Sequence, residues 1–192
     1  MIGESPASHT PHPDPGLTIR PMTVSDASVL SAAFAAIGWN KPPELYLAYL
    51  EECAAGERVA LVAETGGQLS GSGTVAGYGT VVWQSPYRHF REAGVPEIKD
   101  LNVLPAFRRR GVATALMDRL EAVIAERSGV AGIGVGLYTE YGPAQRMYVL
   151  RGYVPDGHGA FCGDEPAAAG ERVRVDDSLV LFMTRRLTDD GE

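Results

Sequence analysis

The sequence predicts one mixed α/β domain, a mostly antiparallel sheet of about seven strands with helices on both faces. Three observations predict it. Strand-type runs and helical-period runs follow one another in the order β-α-α-β-β-β-α-β-α-β-β. That order mixes hairpins with two strand–helix–strand crossovers, so antiparallel and parallel pairing share one sheet. A chain of 192 residues, 45% hydrophobic and 21% charged, is large enough to bury a core without metal or disulfide support.

Residues 1–16 are proline-rich with almost no apolar side chains and read as a flexible tail, in which His9 and His12 have no built partner. The single domain runs over 17–192, starting with a short strand over Leu17 to Met22. Ser25 and Asp26 are expected to cap a helix reaching Ile37, with Val29, Leu30, Ala33, Phe34 and Ile37 at helical spacing. Gly38 ends it and the Trp39–Pro43 segment turns a rigid corner into a second helix over Glu44 to Ala55. Arg58 to Glu64 is a buried-type strand, the Gly/Ser-rich segment 66–73 is a hairpin loop, and Val75 to Trp83 returns beside it. Gln84 to Val95 is a long loop rich in aromatic and basic groups, and a fourth strand begins after Pro96. The helix over Arg110 to Arg127 carries an apolar stripe of Val112, Leu116, Leu120, Val123 and Ile124. Val130 to Thr139 is a central strand with Gly132, Gly134 and Gly136, where a backbone or a ligand approaches closely. A short helix spans Pro143 to Leu150, a strand starts at Tyr153, a loop holds Gly157, Gly159 and Gly163, and Asp177 to Leu187 is the last strand.

The net charge of −7 argues against nucleic acid as a partner, because duplex binding needs distributed positive charge. Arg108, Arg109 and Arg110 are then a local basic spot that suits one small polyanion. Cys53 and Cys162 have neither metal-ligand spacing nor a disulfide framework, so no metal cofactor is expected and a reducing cytoplasm is the simplest compartment. No apolar run approaches the ~18 residues of a membrane span, so no membrane partner is expected.

The stretch from Pro96 to Thr114 joins a strand, a break at Pro105, a basic turn and a helix opening near Gly111, Val112 and Ala113. Unpaired N–H groups of a first helical turn, with the positive end of the helix dipole, cradle anions. The spacing is neither that of a Walker loop nor the three-glycine dinucleotide fingerprint.

The element order, with this turn after the fourth strand, resembles the GCN5-related N-acetyltransferase (GNAT) superfamily. Arg108-Arg109-Arg110-Gly111-Val112-Ala113 matches its Arg/Gln-x-x-Gly-x-Gly/Ala signature. Upstream, Leu101-Asn102-Val103-Leu104-Pro105 stands where the family has Leu-x-Val-x-Pro; downstream, Met147 to Tyr153 matches its apolar-Tyr-x-x-x-Gly-aromatic block. The family's usual Asn six residues before that Tyr is replaced by Gly142.

The resemblance implies an acetyl-CoA-dependent N-acetyltransferase acting by direct attack of a primary amine. Backbone N–H groups from Arg109 to Thr114 would hold the pyrophosphate of acetyl-CoA, Gly111 would allow close approach, and Arg108, Arg109 and Arg110 would add charge. Leu101 and Val103 would pair with the pantetheine arm at a bulge between the fourth and fifth strands, and a backbone N–H near Val103 would polarise the thioester carbonyl. Tyr148 would stand near the sulfur and protonate the departing thiolate. An ammonium is only about one part in two thousand neutral at pH 7, so a base helps. Glu97, eleven residues before Arg108 as in some family members, is the first candidate and Asp100 the second. Strict alternation sends these two to opposite faces unless a bulge intervenes.

On the acceptor side, Trp39, Trp83, Tyr87 and Phe90 are candidate walls, Asp176 and Asp177 either meet a cationic amine or cap a turn, and His89 and His158 have no partner at a diagnostic spacing. A small-molecule amine is the expected partner. A protein or peptide amine is the alternative, and a non-catalytic acyl-CoA-binding regulatory module the rival of another class. The implied fold also allows a homodimer through the C-terminal strands.

Overall fold

The computed structural model describes residues 16–66 and 73–187. The tail through residue 15, with His9 and His12, and most of the Gly/Ser-rich loop lie outside the described residues. Eight strands form one sheet: β1 (Thr18–Pro21), β2 (Arg58–Thr65), β3 (Thr74–Val82), β4 (Glu97–Val103), β5 (Val130–Gly136), β6 (Val154–Cys162), β7 (Glu165–Pro166) and β8 (Leu179–Arg186). Their order is β1-β2-β3-β4-β5-β8-β6-β7, antiparallel throughout except for β4 beside β5. The strand beyond the expected seven is β7, a two-residue return on the end of β6.

Five α-helices cover the sheet: α1 (Val24–Ala35), α2 (Pro43–Ala54), α3 (Arg88–Ala93), α4 (Val112–Ala125) and α5 (Gly142–Leu150). One face carries the larger core. Val112, Leu116, Leu120 and Ile124 of α4, spaced four apart, lie over Leu61, Val81, Ile98, Ile133 and Met183 of the strands. The opposite face is covered in two patches, Leu30, Phe34, Tyr46 and Tyr49 of α1 and α2 on one half and Tyr87 and Phe90 against Phe161 and Phe182 on the other. Between these patches residues 99–103 of β4 are half-buried.

Several boundaries differ from the sequence reading. Thr23, not Ser25, is the N-cap of α1, because Asp26 at the third helical position accepts the Thr23 N–H at 2.7 Å and its hydroxyl at 2.8 Å. Val29 is about half exposed, since α1 buries Ala27, Leu30 and Phe34 instead. The long loop Gln84 to Val95 contains α3, which Phe90 anchors in the core and Gly94 stops at φ 64°. Gly157 and Gly159 stand within β6, where left-handed backbone produces a register shift against β8.

Candidate active site

The parallel ladder between β4 and β5 consists of two residue pairs, Glu97 with Gly132 and Ile98 with Ile133. Beyond Ile98 the strands diverge, while β4 stays paired to β3 through Asn102 and Val103. The divergence coincides with a bulge. The β3–β4 register shifts between Tyr78 and Thr80, and Asp100 takes a positive φ of 54°. An extra residue reverses the alternation, so Asp100 turns to the same face as Glu97 and Lys99 rather than the opposite one. Leu101 and Val103 then pack on the α4 side.

The fork leads into the basic turn. A 3₁₀ turn over Pro105–Phe107 is followed by Arg109 at φ 61° and Gly111 at φ 79°. Two left-handed residues so close together bend the chain back onto the helix axis, and Gly111 adopts that conformation without the strain a Cβ brings. The first bond of α4 runs from the Ala115 N–H to the Gly111 carbonyl at 2.9 Å. The N–H groups of Val112, Ala113 and Thr114 therefore stand ahead of the helical ladder, at the positive end of the dipole. Arg108, Arg109 and Arg110 are exposed around them. The Arg108 Nε donates to the Val103 carbonyl at 3.3 Å, closing the turn onto the strand, and the Arg110 guanidinium lies over Phe107.

The two candidate carboxylates have different surroundings. Glu97 is 2% exposed; its Oε2 accepts the Ser85 hydroxyl at 2.6 Å and its Oε1 lies 3.5 Å from Lys99 Nζ. Both line a cavity of ≈ 180 Å³ with Tyr87, Asp177, Val180 and Phe182. Asp100 sits at the fork itself with its side chain 30% exposed. Its Oδ2 accepts the Tyr49 hydroxyl at 2.9 Å and lies 3.9 Å from Arg58. Burial, reinforced by the charge of Asp100, pushes the Tyr49 and Tyr78 phenols well above their ordinary value, and burial holds Tyr46 at about 12. All three stay protonated across the physiological range.

Tyr148 on α5 is buried in the α4-side core, against Tyr153. Burial, with Tyr141 beside it, holds its phenol well above the ordinary value, so it too remains a proton donor. Tyr141 links the parts, since the charges of Asp177 and Asp100 both reach its hydroxyl. Asp100 lies at the bulge facing α2, Tyr148 lies in the α4-side core, and Glu97 is on the wall of the neighbouring cavity. Where the signature Asn is replaced by Gly142, Gln145 one turn on donates to the Gly136 carbonyl at 2.7 Å.

The remaining candidates divide. Trp39 stacks on Phe34, Arg127 covers Trp83, and Phe90 packs in the core, which leaves Tyr87 as the cavity wall among the four aromatics. Asp176 caps the turn at Ser178, whereas Asp177 accepts the hydroxyls of Tyr138 and Tyr141 and lines the cavity. His89 and His158 do have partners, namely each other. Their rings stack at 3.6 Å, joining α3 to β6 across a sequence distance no spacing rule covers. Close packing accounts for the β5 glycines: a Cβ at Gly132 would meet the Phe90 ring at 2.4 Å, and one at Gly136 the Tyr141 ring at 2.5 Å. Sequence reasoning missed Tyr46, Tyr49 and Tyr78. Tyr46 and Tyr49, three apart on one face of α2, carried a signal that reads as plain core. Among the described residues, no group of three or more His, Cys, Asp or Glu side chains is placed to hold a metal, and no helix is long and apolar enough to cross a membrane.

Comparison with known proteins places this geometry. No curated sequence matches the chain. Among solved structures it is similar to yncA from Salmonella typhimurium, determined with its cofactor acetyl-CoA (20% identity, TM-score 0.65, covering 92% of this chain and 97% of that one). It is also similar to ribosomal-protein-alanine N-acetyltransferase from Brucella melitensis (23%, TM-score 0.63, 88% and 99%). A third is a spermidine N-acetyltransferase chimera from Vibrio cholerae and hSSAT (16%, TM-score 0.62, 90% and 96%). At these identities the likeness carries the fold. The acetyltransferase (GNAT) family matches residues 27–153, two-thirds of the chain and the whole stretch from α1 through the fork to Tyr153. The chain belongs to the GNAT family of acetyltransferases.

Proposed function

We propose that this protein transfers the acetyl group of acetyl-CoA to the primary amine of a small molecule, by direct attack at the fork between β4 and β5. The observation that carries the reading is the continuity of that fork with the N–H groups of Val112, Ala113 and Thr114. An extended thioester arm entering beside Leu101 and Val103 reaches, at its far end, a turn that offers backbone donors, a helix dipole and three arginines to a pyrophosphate. The residues present fit that group. Gly111 keeps the approach open, and Arg108, Arg109 and Arg110 are exposed for charge pairing.

Asp100 is the carboxylate proposed to take the proton of the incoming ammonium, because its side chain is 30% exposed at the fork and its Oδ1 accepts no hydrogen bond among the described residues, whereas both oxygens of Glu97 have partners. Glu97 and Asp177 give the cavity a negative balance against Lys99 and draw a cationic amine toward it. Tyr148 supplies the proton to the departing sulfur. The acetyl donor matches what yncA was determined with, and the neighbours named for spermidine and for a ribosomal protein mark the two acceptor classes the fold serves. The cavity of ≈ 180 Å³ suits a small amine better than a folded protein surface.

Titration calorimetry with acetyl-CoA, followed by thiol release against small amines and peptide N-termini, tests this reading. Saturable binding with release for a small amine is the expected result. Release for peptides alone would replace the small-molecule acceptor, and binding without release for either would make the protein a binding module.

A further inference from the structure

Buried polar groups from α2 and β2 converge on the bulge at Asp100. Asp100 stands at φ 54° within a strand, a left-handed conformation that aspartate tolerates and that marks the bulge. The hydroxyls of Tyr46 and Tyr78 are buried and interact with each other, with no further hydrogen-bond partner among the described residues. Arg58 lies over the Tyr49 ring and is committed to Glu52 at 2.5 Å and Thr80 at 2.8 Å, so it only approaches Asp100. Clustered around one half-open carboxylate, these groups point to chemistry there.

The ring geometry says how the carboxylate is held. Tyr46 packs edge-on to Tyr49 at 6.2 Å and to Tyr78 at 5.3 Å, which fixes the Tyr49 ring between α2 and the sheet. From that position the Tyr49 hydroxyl reaches Oδ2 of Asp100, while Oδ1 accepts no bond among the described residues.

Resting on the acetyl-transfer reading above, we propose that Tyr49, braced by Tyr46 and Tyr78, is the positioning residue that turns Oδ1 of Asp100 to the acceptor ammonium. The amine nitrogen gives its first proton to Oδ1, and its freed lone pair forms a bond to the thioester carbonyl carbon. The C–S bond breaks with its electron pair on sulfur, which takes a proton from the Tyr148 hydroxyl. Tyr148 is restored by the second proton of the new amide nitrogen, and Asp100 returns its proton to solvent. The groups facing Asp100 are Tyr46 and Tyr49 from α2, Arg58 from β2, Tyr78 from β3 and Tyr141 from beyond β5; Glu97 and Lys99 on its own strand pair with each other.

The test uses the full chain with acetyl-CoA and four probe amines: ethanolamine, cadaverine, phenylethylamine and glycinamide. Tyr49→Phe is expected to keep acetyl-CoA affinity and Tm while turnover falls about 10- to 100-fold. The loss should fall on kcat, with the amine KM nearly unchanged, because Tyr49 orients the carboxylate without touching the amine. Tyr46→Phe, which keeps the bracing ring, should hold turnover, whereas Tyr46→Leu, which removes it, should lower turnover. Turnover that falls only in step with Tm, or a Tyr49→Phe loss that falls on the amine KM instead of kcat, overturns the proposal, and so does full activity in Asp100→Asn. Acetyl-CoA binding without thiol release from any of the four amines overturns it and leaves the donor site standing. Failure to bind acetyl-CoA at all overturns the donor reading instead.

Discussion

From Leu101 to Thr114 the proposed donor side is made mostly of main chain: an unpaired strand edge, two left-handed residues and the open end of α4. Around Asp100 and Glu97 the proposed acceptor side is made of side chains from distant segments, with Tyr49 from α2, Tyr78 from β3, Ser85 and Tyr87 from the approach to α3, and Asp177 from before β8. A ligand such as acetyl-CoA presents the same phosphates and amides to any protein, so backbone groups at fixed spacing can hold it. An acceptor must be distinguished from other amines, and that takes side chains brought together by the fold.

The comparison breaks most sharply at the two carboxylates. Asp100→Asn, which keeps both shape and tolerance of positive φ, is expected to lower kcat/KM about 10²- to 10⁴-fold in a thiol-release assay. Glu97→Gln should act mainly on the amine KM; the reverse pattern would return the base to Glu97. Tyr148→Phe comes next, with turnover down about tenfold or more and acetyl-CoA affinity nearly unchanged by calorimetry. A large loss of affinity would make this tyrosine a packing residue. Gly132→Ala should cost about 1–3 kcal/mol by overpacking against Phe90, read as a drop in Tm. Smallest is Gly111→Ala, which strains one left-handed residue by about 1–2 kcal/mol and should raise the acetyl-CoA KM while leaving the amine KM alone.

The same division explains what could be read from the chain. The order of elements, the helix over Val112–Ala125 and the cradle at Arg108 to Ala113 were legible because period, turn chemistry and motif spacing are local. A bulge on the fourth strand was expected from the family resemblance, but its place at Asp100 was not legible, since only the β3 register decides it. Nor was the His89–His158 stack, or the Tyr49–Asp100 hydrogen bond across 51 residues, because both depend on which helix lies over which strand. Thr23 displaced Ser25 as cap for a smaller reason. Two capping residues stood close together, and Asp26, which also binds Arg20, favoured the first.

The short ladder between β4 and β5 has a mechanical consequence. β5 and β8 share seven residue pairs and β2 and β3 a full-length ladder, yet the two halves of the sheet meet through two pairs. What joins them is a stub of parallel strand backed by Ile98, Ile133 and the underside of α4. The sheet is therefore two longer ladders joined by a narrow seam, and an extended arm entering the gap would add a strand shared by both halves. Loading the donor would close the sheet as well as fill a site, so rigidity would arrive with the substrate and depart with the product.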